Sequence, residues 1–405
     1  MKIIDLKVQG YRSLKDIYWE PGDLNVLIGP NASGKSNLLR CLELISASAK
    51  GNLGKYIQSA GGMEPLVWDG SLDSISFVLQ SSPVRESRKT YRDNMTYELE
   101  LTRLGKTSTY AITKELLANY YKVQMHTEHE PFKFIERSRF KTVLFDENQR
   151  ALIAPEESIP EDDTVLSKAI GPFSGNSIIS DFRSQLASWS IYHDVHVNRD
   201  AVIRQPTVTR NEKQLDPDGQ NLISVLHTLY TTDRSFKRVA NEAMAAAFGD
   251  DFEELVFPPA ADQRIQLRLI WKSLKREQSA ADLSDGTLRF LMLLAILASP
   301  TPPPVIAIDE PETGLHPSMF PIIAEHAIDA SKHAQIILST HSPEFLNSFK
   351  DTIPTTTVVQ WDRGQTILKT IKGKALDSWL REYSLGSLFK SGELESMAVV
   401  PSKSQ

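Results

Sequence analysis

Gly29-Pro30-Asn31-Ala32-Ser33-Gly34-Lys35-Ser36 is the stretch on which the reading of this chain turns. It fits G-x-x-x-x-G-K-[ST], and its surroundings are those the pattern requires. The apolar run Leu24–Ile28 precedes it as a strand, and Leu38, Leu39, Leu42 and Ile45 follow at helical spacing. Glycine lets such a loop wrap closely, so that backbone N–H groups and the positive end of the helix dipole face phosphate. Lys35 is then expected to reach the β- and γ-phosphates of a nucleotide, with the Ser36 hydroxyl as a ligand for Mg²⁺. Gly29, Asn31, Ser33, Gly34 and Asn37 complete the expected nucleotide contacts.

Working outward, Ile3, Ile4, Leu6 and Val8 read as a first strand. Short alternating segments from Ile75 to Val143, such as Ile75–Leu79 and Tyr97–Leu101, read as an antiparallel layer. From Asp162 to Phe248 the texture is helical, with Asn221–Tyr230 and Phe236–Phe248 separated from earlier segments by the loop Arg204–Asp218. A helix from Asp285 to Ala298, the strand Val305–Ile308, a helix after Pro317 and the strand Gln335–Leu338 then alternate as in a parallel sheet covered on both faces. The expected organisation is a head in two parts, 1–115 and 251–380, around an inserted, largely helical lobe at 116–250, with a tail at 381–405.

The strand Val305–Ile308 ends in Asp309 and Glu310. Ligands collect at the carboxyl ends of strands in open parallel sheets, which suits Asp309 as a Mg²⁺ ligand and Glu310 as the base that polarises an attacking water.

Three further segments carry a resemblance: Leu283-Ser284-Asp285-Gly286-Thr287, Asp309-Glu310-Pro311-Glu312-Thr313-Gly314-Leu315-His316-Pro317, and Ser339-Thr340-His341-Ser342-Pro343. With the phosphate loop and the opening Val8-Gln9-Gly10-Tyr11-Arg12-Ser13-Leu14, they resemble the ABC-type ATPase heads of the RecF, SMC and OLD-nuclease branch, and most of all its small stand-alone ATPases. The resemblance implies an α/β P-loop head with a mixed sheet, an antiparallel layer and a helical insert. It also implies ATP and Mg²⁺ as cofactors, with Ser284, Asp285 and Gly286 meeting the γ-phosphate bound by a second copy, so that a homodimer or a higher oligomer sandwiches ATP. By the same resemblance, His341 is a switch histidine and Arg12 contacts phosphate or base. Asp285 departs from the transporter-type Leu-Ser-Gly-Gly-Gln form and places an anion beside a phosphate. Gln58 and Gln80 both stand as candidates for the Q-loop glutamine. Asp218-Gly219-Gln220-Asn221 resembles a family segment whose local reading is a turn into a helix.

Composition narrows the function. Lys plus Arg (45) against Asp plus Glu (51) gives a net charge of −6, unlike a constitutive nucleic-acid binder. Two basic patches, Arg85, Arg88, Lys89 and Arg92, then Lys133, Arg137, Arg139 and Lys141, keep nucleic acid as a partner. His193 and His196 read as structural, because their spacing suits neither a zinc finger nor a metalloprotease helix. The single cysteine, Cys41, reads as a packed thiol. The longest apolar run, Phe290–Ala298, is far too short to span a bilayer, and the protein is expected to be cytoplasmic. A transporter or a coiled-coil motor is disfavoured, since no membrane span and no heptad arm lie between Lys35 and Leu283. A nuclease is disfavoured because no acidic cluster of the Toprim kind follows His341. The expectation is an ATP-driven switch acting on a separate effector protein in anti-phage defence, with a DNA-repair ATPase as the alternative.

Overall fold

The computed structural model describes residues 1–84, 94–105, 109–119, 131–155, 158–169, 176–193, 195–349, 352–371 and 383–394. The first basic patch, Arg85 to Arg92, and the terminal Pro401–Gln405 lie outside them. The chain divides into two compact units, one of Met1–Gly22, Leu27–Trp189 and Thr357–Thr370, the other of Asp23–Val26, Ser190–Thr356 and Ile371–Gln405.

The first unit is built on an antiparallel sheet in the order Leu14–Trp19, Ile3–Tyr11, Ser74–Ser81, Met95–Arg103, Tyr110–Asn119, Lys133–Ser138, Lys141–Asp146 and Ala151–Ile153. Alternation decides which face is buried. In Ile3–Tyr11, Leu6 and Val8 are fully buried while Lys7 and Gln9 are exposed. The strands continue to Ile153, beyond the antiparallel segments expected to end at Val143, and the first helix after them, Val165–Lys168, begins where the helical texture expected from Asp162 sets in. Polar breaks such as Glu147-Asn148-Gln149-Arg150 are hairpin turns between short strands rather than the edge of a helical lobe. The helix Lys35–Lys50 turns Leu38, Leu39, Cys41, Leu42 and Ile45 inward, all with no exposed surface. Burial pushes the Cys41 thiol far above its ordinary range, as the packed reading expects.

Glu115 is the unit's least expected core residue, a fully buried acid on the strand Tyr110–Asn119. Its two carboxylate oxygens accept Val165 N at 2.6 Å, Leu166 N at 2.9 Å and Tyr97 Oη at 3.2 Å, so it caps the start of the helix Val165–Lys168. Glu115→Gln puts an amide N–H against one of those donors and is expected to cost about 2 kcal/mol. A fall in the urea midpoint at unchanged slope would show it; an unchanged midpoint would mean that the cap contributes nothing.

The second unit contains the parallel strands Ser190–Tyr192, Val305–Asp309 and Gln335–Thr340 in that order. Leu24–Val26 lie beside Gln335–Thr340, where Ile336 N donates to Asp23 O at 2.8 Å and Asn25 Nδ2 to Ile336 O at 3.0 Å. Val305–Ile308 and the whole of Gln335–Thr340 are buried, which explains their continuous apolar reading. The helices Leu222–Thr232, Arg234–Phe248, Asp285–Leu297 and Phe320–Ser331 belong to this unit. Two small antiparallel sheets, one of them Phe252–Val256, Arg268–Trp271 and Gln278–Ser279, precede the Asp285 helix. Their strands of two to five residues are too short to leave a periodic signal.

Candidate functional site

In the first unit the phosphate loop follows the strand Leu24–Ile28, with Asn31 and Ala32 exposed and Ser33 buried. Ala32 is left-handed (φ 63°), and Gly34, at φ 106° just before the helix, holds a backbone that a side chain would strain. A Cβ on Gly34 would lie 2.0 Å from Thr366 Oγ1, and one on Gly29 would lie 2.2 Å from Val359 O. The loop is thus braced by the hairpin Thr355–Thr370, which the sequence reading did not anticipate. Thr366 Oγ1 bonds Ser33 O at 2.9 Å and Ser13 Oγ at 2.7 Å, and Ser13 Oγ in turn accepts Asn37 Nδ2 at 2.7 Å. Asn37, expected to touch nucleotide, therefore has its amide on Ser13. Lys35 is 4% exposed, and its ammonium donates to Gly29 O at 2.8 Å and Pro30 O at 3.1 Å. The charge is held over the loop by the same carbonyls that shape it. The buried Ser33 hydroxyl has no hydrogen-bond partner among the described residues, a polar group suited to a phosphate oxygen.

Arg12 occupies the turn between the first two strands at φ 47°, with its guanidinium 5.9 Å from the Tyr11 ring centroid. Of the two glutamines, Gln80 is buried and accepts Thr96 Oγ1 at 2.7 Å, while Gln58 is exposed on the helix Leu53–Ser59. In the second basic patch Lys133 and Lys141 both pair with Glu136, and Arg137 is buried with its donors on Asp163 O and Pro160 O. These contacts occupy three of the four cations.

In the second unit the strand Val305–Asp309 delivers its acids to a compact polar cluster. Asp309 accepts the Ser339 hydroxyl. Glu310 sits in the left-handed region (φ 47°), where its N–H donates to Ser339 O at 3.2 Å and Ser339 Oγ at 3.1 Å. Its carboxylate meets His341 Nδ1 at 2.9 Å and Thr313 Oγ1 at 3.4 Å. Strain of this kind persists only where neighbours over-determine it, and it orients the carboxylate. The strand end Ser339-Thr340-His341 thus holds all three acids, since Thr340 Oγ1 also donates to Glu312. Glu312 is 6% exposed, and burial pushes its carboxyl above the usual range. Ser339, Thr340 and Glu312 stand in the quoted motifs without an assigned role; the parallel register Asp309↔Ser339 sets Ser339 against Asp309.

Also in the second unit, Ser284 opens the helix Asp285–Leu297 as its N-cap, its Oγ accepting Thr287 N at 3.1 Å. Gly286 is needed for close approach, because a Cβ there would lie 2.7 Å from Gly314 O. Asp285 pairs with the buried Arg204.

The family described as "AAA domain, putative AbiEii toxin, Type IV TA system" has a model that matches residues 24–347 of this chain. The chain belongs to that family. Its match runs from the strand before the phosphate loop past His341, so it spans every motif above except the N-terminal signature. Among solved structures, this AAA-domain protein is similar to the SmcHead bound to the C-winged helix domain of ScpA, at TM-score 0.57 and 12% identity, over 93% of this chain and 100% of that one. It is also similar to the Smc head domain with an extended coiled coil bound to the C-terminal domain of ScpA from Pyrococcus furiosus, at TM-score 0.56 and 11% identity, over 94% of this chain and 98% of that one. At such identities the likeness establishes the fold, that of an ABC-type ATPase head of the SMC kind. No curated protein matches the chain in sequence. Among the described residues no helix is long and apolar enough to cross a membrane.

Proposed function

We propose that this AAA-domain head binds ATP, closes as a homodimer around it, and reopens on hydrolysis, acting as a switch on a separate effector protein. The observation that carries the reading is Glu310, held in left-handed backbone by Ser339 with its carboxylate on His341. A carboxylate so oriented and hydrogen-bonded to an imidazole is built to take a proton from water. Lys35, Ser33 and the N–H groups at the start of the helix Lys35–Lys50 bind phosphate oxygens in this proposal. Ser36 and Asp309 offer a hydroxyl and a carboxylate, the hard oxygen donors that Mg²⁺ prefers, and the ion when bound neutralises phosphate charge. Both segments lie within residues 24–347, which the family model matches.

Ser284 and Gly286 serve the nucleotide of the second copy. A capped helix start with a hydroxyl and a glycine suits a phosphate oxygen, and Asp285, paired with Arg204, is neutralised there rather than left as a bare anion. A separate effector is supported by the ScpA domains on the two SMC heads; the family's description names a putative toxin of a type IV TA system, and an anti-phage setting is the further part of this proposal.

A composite site has a consequence that a self-contained one lacks. Ser284→Arg is expected to bind ATP yet fail to activate its neighbour, and Lys35→Ala to fail in the opposite way. Mixing the two inactive proteins forms heterodimers in which one interface pairs an intact Lys35 loop with an intact Ser284. ATPase activity is expected to return, below that of wild type, since about half of randomly exchanged dimers are mixed and each has one sound site. Exchanged subunits that remain inactive, or an ATP-bound mass equal to one chain, would count against the dimer.

A further inference from the structure

Arg204 is a cation where an ordinary packing residue would be apolar. It ends the short turn Val202–Arg204, its side chain is 5% exposed, and every arm of its guanidinium is occupied. Nε donates to Val197 O at 3.0 Å and Asn198 O at 2.9 Å, and Nη2 to Val197 O at 2.8 Å. On the other side, Nη1 donates to Leu283 O at 2.7 Å and more weakly to Ala280 O and Ala281 O at 3.3 and 3.4 Å, while Nη2 also bonds the Asp285 carboxylate. One planar fork therefore ties the loop at 197–198 to both residues that flank Ser284.

A second set of contacts holds that loop. Gln220 accepts Val202 N through Oε1 at 3.0 Å and donates through Nε2 to His196 O at 3.0 Å. Its neighbour Gly219 (φ +73°) packs so closely on the helix Asp285–Leu297 that a Cβ would lie 2.0 Å from Met292 Cε. The segment Asp218–Asn221, legible in sequence only as a turn into a helix, seats the Arg204 loop on the very helix whose first turn Arg204 grips.

We propose that Arg204 is the positioning residue of the Ser284 turn, fixing Ser284 and Gly286 in the orientation in which they meet a phosphate carried by a second copy of the chain. The proposal rests on the homodimer reading above. Leu283 O and the Asp285 carboxylate bracket Ser284, so locking both sets the peptide plane from which its hydroxyl projects. Asp285 is then the counter-ion of Arg204, which accounts for an anion in a phosphate-facing motif. Only arginine has the rigid fork to hold two segments at once; lysine is a single point donor and cannot replace it. An error of about 1 Å in such a group lowers turnover by about a hundredfold while leaving binding to the other half of the site intact.

The test uses the full chain. Arg204→Met and Arg204→Lys are each expected to bind ATP within about threefold of wild type by titration calorimetry and to turn over about a hundredfold more slowly. A defect that only loosened the fold would not choose its partner in mixing. Arg204→Met is expected to regain activity when mixed with Lys35→Ala and to stay inactive with Ser284→Arg, because that pair leaves no interface with a sound Ser284 turn. Regain with Ser284→Arg instead, regain with neither by a protein that melts near the wild-type temperature, or wild-type turnover of Arg204→Met overturns the proposal. If Arg204→Met does not fold, Asp285→Asn carries the test, its side chain being 62% exposed. A smaller turnover loss with the same choice of mixing partner supports the proposal, and unchanged turnover overturns it. The control mixture of Lys35→Ala with Ser284→Arg separates the two levels: without activity there, the homodimer reading falls and this proposal with it; with activity there, a contrary Arg204 result sinks the positioning role alone.

Discussion

Lys35→Ala is expected to lower ATP affinity by at least about a hundredfold, since removing a charged donor to phosphate forfeits about 3 kcal/mol and each 1.4 kcal/mol is tenfold in Kd. The resting loop adds to this. Lys35 is 4% exposed and donates to Gly29 O and Pro30 O, so the alanine leaves both carbonyls without their ammonium and slackens the turn that arranges the backbone N–H groups. Lys35→Arg is expected to fail as well, because a planar guanidinium does not fit where a compact ammonium reaches two adjacent carbonyls. Calorimetric titration with ATP checks both variants. An affinity within threefold of wild type for Lys35→Ala would remove the phosphate loop from the proposed mechanism.

Glu310→Gln is expected to keep ATP binding within a few-fold of wild type and to lose turnover by about 10² to 10⁴-fold, the range assigned to a positioned general base. The amide preserves length and shape, and the backbone stays as it was, with N–H donated to Ser339 O and Ser339 Oγ. What changes is proton affinity, because an amide oxygen accepts a hydrogen bond from water but does not take its proton. Phosphate release assays under saturating ATP, paired with calorimetry, separate the two effects. Turnover within threefold of wild type would mean that another group is the base.

Much of the site was readable because its parts are local. The run Leu24–Ile28, the glycines of the loop and the apolar spacing of Leu38, Leu39, Leu42 and Ile45 each encode backbone geometry within a few residues, and the structure forms them as strand, turn and helix. The same holds for Asp309-Glu310 at the end of a buried strand and for the helix that opens at Asp285. Periodicity located the antiparallel layer but not its end. The strands Lys133–Ser138, Lys141–Asp146 and Ala151–Ile153 are short, and the last is largely exposed, so their alternation is faint.

What sequence alone determined, then, was the set of segments with a fixed short-range conformation and the side chains they carry: a glycine-rich turn before a helix, a carboxylate strand end and a helix start. Only the tertiary structure decided which distant groups hold those segments. Thr366 lies 333 residues from the Ser33 carbonyl it bonds, Ser339 lies 30 from Asp309, and Arg204 lies 81 from Asp285. Thr366 sits on a polar edge strand and Arg204 in an irregular loop, where neither spacing nor composition marks a residue as buried. The physical reason is the range of the forces: backbone propensity and hydrophobic alternation act over one or two turns of chain, whereas a buried guanidinium or hydroxyl finds its partners only when packing brings remote segments together.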